Sequence, residues 1–106
     1  MNEILWIDNF DSGPFGSDWA SDYDEAISYI EENDYDIISL SYDLGTWHHG
    51  REYTGYDVLV WLYEHQLKGG HVPRSIRIHS AESYEKNMME EFISSYLNKL
   101  EIRNDF

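Results

Sequence analysis

The sequence predicts a single α/β domain built on an open parallel β-sheet that is flanked by helices. Short apolar runs alternate with longer segments whose apolar residues recur at helical spacing, which gives the order β-α-β-α-β-α. The apolar runs resemble strands that are buried on both faces, as is typical of parallel sheets. A chain of 106 residues suits one hydrophobic core, so residues 1–106 are predicted to form one domain.

The first strand is predicted over residues 4–7, where an apolar run stops at Asp8 and Asn9. The following residues, 10–20, are rich in Gly, Ser and Asp, a composition that is typical of a loop. A short strand near Trp19 is the alternative within this stretch. The sheet is therefore expected to begin with a buried strand and a long connection.

The first helix and the second strand come next. Asp22 and Glu25 have the spacing of a capping box, and the helix that they begin is predicted to end at about Asn33. Its apolar residues at helical spacing are Ala26, Ile27 and Ile30. The second buried strand is predicted over residues 35–41, followed by a turn over residues 42–45.

A long loop is predicted over residues 46–53, before the second helix. This helix begins at Thr54 and Asp57, which have the T-x-x-D spacing of a capping box, and it ends at Gly69 and Gly70. The residues predicted to form its apolar side are Val58, Leu59, Trp61, Leu62 and Leu67.

The third strand is predicted over residues 76–79, after Pro73, and the last helix begins near Ser83. The apolar stripe of this helix is Met89, Phe92, Ile93, Tyr96, Leu97 and Leu100. Right-handed crossovers make the three strands parallel, so their carboxyl ends meet at one edge of the sheet. Ligands of open α/β sheets bind at that edge.

One set of polar residues follows the three strands at this edge. They are Asp8, Asn9 and Asp11 after the first strand, Ser41 and Asp43 after the second, and His79 and Ser80 after the third. The carboxylates of Asp8, Asp11 and Asp43 are hard oxygen donors, so we predict that they bind Mg²⁺. The ion would supply the positive charge that these side chains lack. The alternative is that an Asp after a strand serves only as a turn or capping residue.

His79 and Ser80 are the predicted catalytic residues of this edge. An imidazole can act as a general acid or base and can bind a phosphate when protonated, while the Ser80 hydroxyl can donate to a phosphate oxygen. A half-buried structural histidine is the alternative for His79. His48 and His49 could close over the site from their loop, and an ordinary loop is the alternative for this pair.

The charge of the chain bears on its partners. Twenty-one acids against seven bases give a net charge of −14, and residues 1–50 contain no Lys or Arg. Because nucleic acids bind through Lys and Arg, direct binding of duplex nucleic acid is not expected. The alternative function is an acidic, non-catalytic interaction or inhibitor protein of the phage or mobile-element type. Its N-terminal half would bind a basic host protein through the acids at positions 18, 22, 24, 31, 32 and 34.

The composition excludes several classes of site. The chain has no Cys, which excludes disulfides, thiolate metal sites and a Cys nucleophile. No apolar run approaches the roughly 20 residues of a membrane span, so no membrane partner is expected. The first residues carry no basic segment of a signal peptide, and we expect a cytoplasmic protein.

Four blocks of the sequence occur together in one known family. They are residues 5–9 (L-W-I-D-N), 38–45 (I-S-L-S-Y-D-L-G), 54–59 (T-G-Y-D-V-L) and 78–81 (I-H-S-A). In this order, and over most of the chain, they resemble the cyclic-phosphate processing receiver-like domains, which are divergent relatives of response-regulator receivers. The second and third blocks together carry most of the specificity.

The resemblance implies a small three-layer, receiver-like (flavodoxin-like) fold with an open parallel sheet. It also implies metal-assisted processing of a cyclic phosphate on the end of a nucleotide or nucleic acid. The expected partner is therefore a phosphorylated small molecule or a nucleic-acid end. By their positions in the blocks, Ser41, Ser80 and Thr54 would bind the phosphate, and Asp8 and Asp43 would bind the metal ion.

The chain departs from the family pattern at positions that carry acids. Asn9 replaces the second acid after the first strand, and Ser41 and Tyr42 stand where the family has Asp and His. A serine cannot form an aspartyl phosphate and is a poor ligand of Mg²⁺, so phosphorylation by a histidine kinase is not expected. The predicted function is therefore phosphate-ligand binding, or processing that is weaker than in the family or lost.

Overall fold

The computed structural model describes residues 3–97 and 101–103. The elements within these residues are, in chain order, β1 (Ile4–Ile7), β2 (Asp18–Ala20), α1 (Tyr23–Glu32), β3 (Ile37–Ser41), β4 (Thr46–His48), β5 (Arg51–Tyr53), α2 (Gly55–Leu67), β6 (Ser75–Ser80), α3 (Ser83–Tyr96) and β7 (Glu101–Arg103). Five strands form a parallel sheet in the order β2-β1-β3-β6-β7, and β4 and β5 form an antiparallel hairpin. The predicted parallel sheet flanked by helices is confirmed.

The apolar core lies between the sheet and its three helices. Two rows of strand residues face it: Leu5, Ile38 and Ile76 in the first row, and Ile7, Leu40 and Ile78 in the second. These side chains are almost completely buried, and they share one apolar cluster with helix residues such as Leu59 and Ile93. Burial of a side chain of this size contributes about 1.5–3 kcal/mol, so this side of the sheet holds the fold together.

The opposite face of the sheet is covered in a different way. Trp6, Ser39 and Arg77 lie side by side on it, because strand residues alternate between the two faces. The connection between β1 and β2, residues 8–17, passes over Trp6 without forming a helix. A Cβ atom at Gly13 would lie 2.3 Å from Trp6 Cγ, and the φ of 77° at this residue also favours glycine. Helices, sheet and this connection form the three layers.

Side-chain caps fix where the first two helices begin. Asp22 accepts a hydrogen bond from the Glu25 amide at 2.8 Å and so caps α1, as predicted. The Glu25 carboxylate does not return to Asp22 but accepts from the Ser21 amide at 2.7 Å, so this half of the predicted capping box is wrong. The predicted box of Thr54 and Asp57 at α2 is confirmed in both directions.

Residues 46–53, which are predicted to be a loop, form the hairpin of β4 and β5, so that prediction is wrong. The two-residue turn consists of His49 and Gly50, with φ of 54° and 77°. Positive φ at both central positions matches the twist of a hairpin, and a glycine at the second position favours this turn. The hairpin docks on the first turn of α1, where the His48 side chain lies 2.9 Å from Asp24.

Other differences between prediction and structure lie at the edges. The alternative of a strand near Trp19 is confirmed as β2, whereas the sequence does not predict β7. The third helix buries Met89, Phe92 and Ile93 as predicted. Tyr96 and Leu67 are exposed, and Leu100 lies outside the described residues. None of the helices in the described part of the chain is long and apolar enough to span a membrane.

The strand order determines where a ligand would bind. With the hairpin strands left out, the order is 2-1-3-4-5, the flavodoxin-like order that the resemblance implies. The chain runs outward from β1 to β2 and then returns to β3, so the connections diverge between β1 and β3. Ligands of such sheets bind at the carboxyl ends of the strands at this switch point. Asp8 directly follows β1, and Ser41 ends β3.

Candidate functional site

Three strands contribute to a chain of hydrogen bonds at the carboxyl edge of the sheet. Nε2 of His79 lies 2.8 Å from Oδ2 of Asp8, and its Nδ1 lies 2.7 Å from Oγ of Ser39. The side chains of His79 and Asp8 are only 5% and 10% exposed, and Ser39 is fully buried. The fold therefore brings Asp8 and His79 together, although 71 positions separate them in the sequence.

Asp8 is held as a carboxylate. Its Oδ1 atom accepts hydrogen bonds from the amides of Phe10 at 2.8 Å and Asp11 at 3.0 Å. Burial acts to raise the pKa of Asp8, but these amide hydrogen bonds and the hydrogen bond with His79 outweigh it, so the pKa lies below its ordinary value. The Trp19 indole donates to the Asp8 carbonyl at 2.8 Å and ties the neighbouring strand β2 to the same residue.

His79 is held as a neutral imidazole. Burial lowers the pKa of His79 and outweighs the opposing hydrogen bond and charge of Asp8. A neutral ring has one N–H, and the ionised Asp8 can only accept, so Nε2–H donates to Asp8. Nδ1 then accepts from the Ser39 hydroxyl. The Trp6 ring stacks on the imidazole at 3.7 Å between centroids, which fixes the plane of the ring.

The order of these three groups is that of a hydroxyl, a base and a carboxylate that orients the base. Ser39 is fully buried in the middle of β3, so it cannot reach a ligand and acts as a positioning residue. His79 and Asp8 lie at the strand ends and form the outer part of the unit. The arrangement can take up and release a proton at His79, while Asp8 balances the charge.

The predicted site residues do not all line one pocket. Ser80 follows His79 in β6 at the point where the register of β6 against β3 shifts. Ser80 lines an open pocket together with Asp43, with Ala81 and Glu82 before α3, and with Ser83 and Glu85 in the first turn of α3. Neither Asp8 nor His79 lines this pocket. Ser80 and Asp43 therefore line a pocket apart from the pair of Asp8 and His79, and a single site shared by all edge residues stays a prediction.

The three carboxylates Asp8, Asp11 and Asp43 are not grouped as a set of metal ligands in the described part of the chain. Within residues 3–97 and 101–103, no three His, Asp or Glu side chains are grouped so that they could hold a metal ion. Both oxygens of Asp8 accept hydrogen bonds, and Asp11 accepts from the Gly13 amide at 3.0 Å. Asp43 lies in the separate pocket. This donor arrangement does not fit Mg²⁺, and Mg²⁺ binding stays a prediction.

Thr54 and Ser41, the other predicted phosphate ligands, are buried and hold the fold of the edge. Thr54 Oγ accepts from the Tyr56 amide at 3.2 Å and caps α2. A Cβ atom at Gly55 would lie 2.2 Å from the Ser41 carbonyl oxygen, so the T-G-Y-D block packs α2 tightly against the end of β3. This packing accounts for Thr54 and Gly55 without a ligand.

The sequence does not predict two side chains of the site, Ser39 and Trp6, and it suggests two others, His48 and His49, that lie outside it. Ser39 was detectable as a polar residue inside an apolar strand, whereas nothing local marks Trp6 as the residue that stacks on His79. His48 and His49 belong to the hairpin on α1 and not to the hydrogen-bonded unit.

Comparison with known proteins gives one match. The family model described as the cyclic-phosphate processing receiver domain matches residues 3–95, which is most of the chain. No curated protein and no solved structure matches. The matched range contains β1, β3, β6, α1, α2 and all but the last residue of α3, and so includes Asp8, Ser39 and His79. The chain therefore belongs to the family of cyclic-phosphate processing receiver domains.

Proposed function

We propose that the chain binds a ligand with a cyclic phosphate at the carboxyl ends of β1 and β3, and that Asp8 and His79 form the acid–base unit for it. The hydrogen bond between these residues carries the proposal. It supports the proposal because it joins an imidazole, which can act as a base, to a carboxylate beside the switch point of the sheet. Membership of the family supports the class of ligand.

The chemistry needed to open a cyclic phosphate suits this pair. One group must take a proton from the attacking water, and one must give a proton to the leaving oxygen. To take the first proton, neutral His79 must exchange the hydrogen bond between Nδ1 and Ser39 for one with the attacking water, and the imidazolium that results can provide the second. The Asp8 carboxylate at 2.8 Å stabilises the imidazolium, and Ser39 can change from donor to acceptor when Nδ1 is protonated.

The charge of the surroundings makes this binding weak at neutral pH. Asp11 and Asp43 are exposed on the loops that follow β1 and β3, and residues 1–50 contain no Lys or Arg. Protonation of His79 would add a positive charge at the site. We therefore propose that affinity for the phosphate increases as the pH falls, and that any turnover is slow and independent of metal ions.

The test is calorimetric binding and phosphorus-NMR hydrolysis of 2′,3′-cyclic and 1″,2″-cyclic phosphates in the presence of a metal chelator. His79→Gln should abolish binding and turnover, since Gln cannot carry the proton. His65→Gln is the matched control, because His65 stacks on Trp61 within α2. An unchanged affinity in His79→Gln, or no binding to the wild-type protein, would contradict the proposal.

A second candidate function is recognition of a basic protein by the exposed acids of the N-terminal half. The last turn of α1 contains Glu31 and Glu32 and no base, and Asp34 follows. Acids at a helix C-terminus oppose the helix dipole and cost about 0.3–1 kcal/mol each, so their presence favours a role outside folding. Reversal of these three charges should then weaken capture of a partner at physiological salt.

A further inference from the structure

We propose that the groove between α2 and α3 is a docking site for a basic, amphipathic segment of a partner protein. The apolar and small polar residues that line this α2–α3 groove are Tyr42, Tyr56, Met88, Phe92, Ser95 and Tyr96. Two depressions share Tyr56 and Met88 and so form one continuous groove. The groove lies on the helix side of the sheet, so this proposal does not depend on the proposed function.

The floor of the groove is a rigid aromatic cluster. Tyr56 meets Phe92 edge to face with 5.3 Å between ring centroids, and Phe92 lies 4.8 Å from Tyr96. Such ring pairs are stabilising beyond the area that they bury. Met88 and Tyr96 nevertheless remain 43% and 49% exposed. The groove therefore presents apolar surface that is already ordered, which lowers the entropic cost of binding.

The rim of the groove carries an excess of negative charge. Among the described residues that line it, Arg51 is the cation, whereas Glu52, Asp57 and Glu91 are acids. The Arg51 guanidinium is already engaged, because it pairs with Asp57 and lies 4.1 Å from the centre of the Tyr53 ring. The unbalanced acids, Glu52 and Glu91, therefore set the sign of the charge that an occupant must carry.

This combination selects the class of occupant. Lys and Arg side chains pair with the rim, and apolar side chains between them fit an ordered aromatic and Met-lined floor. A nucleic-acid strand would place phosphates next to the acids of the rim, which is unfavourable. A groove between two helices suits an amphipathic segment whose apolar residues lie along one side.

The experiment measures binding of a fluorescently labelled amphipathic peptide of Leu and Lys by anisotropy. Two exposed residues of α3 are changed separately, Met88→Ser and Glu91→Lys, and circular dichroism checks that each variant folds. Glu91→Lys should weaken binding about tenfold and Met88→Ser about fivefold. Glu64→Lys, an exposed site on α2 that does not line the groove and has the same change in charge, is the control and should stay within about twofold of the wild type.

Several results would overturn the proposal. Equal weakening by Glu64→Lys would assign the attraction to the overall charge and not to the groove. Equal affinity for a peptide in which Glu replaces Lys would show that the charge of the rim is not used. Displacement of the peptide by a 2′,3′-cyclic mononucleotide would assign the groove to the phosphate ligand instead. Absence of saturable binding to the wild-type protein would exclude the docking site.

Discussion

Ser39 determines how His79 can act, although it cannot itself touch a ligand. Its hydroxyl donates to Nδ1, and the carboxylate of Asp8 accepts from Nε2–H, so both ring nitrogens have defined roles. A neutral imidazole fixed in this way must exchange the hydrogen bond at Nδ1 before it can take a proton from a ligand or its attacking water. The pair of Asp8 and His79 alone would leave the orientation of the second nitrogen open.

Removing the Ser39 hydroxyl should destabilise the protein. In Ser39→Ala the buried Nδ1 acceptor loses its donor, and we expect a cost of about 1–3 kcal/mol in urea unfolding. Ser41→Ala is the matched control on the same strand, because its hydroxyl makes only a 3.4 Å contact with the Asp43 carbonyl. The control should cost less than about 1 kcal/mol. Equal costs would show that the hydrogen bond from Ser39 to His79 stabilises the protein no more than the weak contact of Ser41 does.

The melting temperature should depend on pH through His79. Because its folded-state pKa lies below the ordinary 6.5, the unfolded chain takes up the proton first as the pH falls. The stabilisation is complete above about pH 6.5 and is lost below it. Asp8, whose pKa lies below 3.8, loses its contribution only at lower pH. His79→Gln should remove the fall in melting temperature below about pH 6.5. A pH profile identical to that of the wild type would show that His79 does not cause this fall.

The predicted Mg²⁺ site has a direct test at Asp43. Melting curves of the wild-type protein and Asp43→Ala are recorded with and without the ion. A rise in melting temperature that Asp43→Ala abolishes would support the metal prediction, since Asp43 is exposed in its pocket and open to a cation. The geometry favours no such difference, and an equal response in both proteins would end the metal prediction.

For single residues, the sequence predicts which side chains lie at the carboxyl edge of the sheet better than it predicts which of them contact one another. Asp8 and His79 are predictable because Asp8 follows a buried strand and His79 lies near the carboxyl end of another. The division between His79 and Ser80 is not, because it depends on where β6 ends. The register of β6 against β3 shifts between Leu40 and Ser41, and pairing at the end of a strand is a tertiary property that no local pattern reveals.

The connection between β1 and β2 is the element that closes the site. A parallel pair is usually joined through a helix, whereas here residues 8–17 cross the sheet as irregular chain. Gly13 allows the chain to lie directly against Trp6, and Trp6 stacks on His79. The packing of residues 8–17 against Trp6 therefore affects the orientation of the His79 imidazole as well as the free energy of unfolding.

Substitutions at two glycines of this connection distinguish the cost of backbone strain from the cost of a steric clash with Trp6. Both Gly13 and Gly16 have positive φ, but a Cβ atom at Gly16 would meet open space, whereas at Gly13 it would overlap the indole. Gly16→Ala should cost about 1–2 kcal/mol for the backbone alone. Gly13→Ala should cost about 1–3 kcal/mol more, because Trp6 must shift. Equal losses in urea unfolding would show that the segment does not press on Trp6.

The helices were the most predictable elements because their signals are local. Capping residues at Asp22 and Thr54 and apolar spacing place α1 and α2 within a residue or two. The hairpin was missed because its turn is His-Gly rather than Asn-Gly, and its strands have three residues each. β7 is equally short, and its place at the sheet edge comes from pairing with β6.

Over the whole molecule, the net charge of −14 opposes the binding of any anion. The proposed site is nearly closed to solvent, and burial lowers the pKa of His79 so that its imidazole is neutral. A phosphate would therefore gain a positive charge at the site only when His79 becomes protonated. The same charge favours basic partners at the α2–α3 groove. We therefore expect added negative charge to weaken binding of the cyclic phosphate and to strengthen binding of a basic segment at the α2–α3 groove.

Proton–nitrogen correlation NMR of the His79 ring, before and after addition of a 2′,3′-cyclic mononucleotide, tests the central claim most directly. In the ligand-free protein at neutral pH, Nε2 should carry the proton and Nδ1 should be unprotonated. The ligand should then shift both ring nitrogens toward the protonated form. A ring protonated at Nδ1 without the ligand, or ring signals that the ligand leaves unchanged, would contradict the assignment of Asp8 and His79 as the acid–base unit.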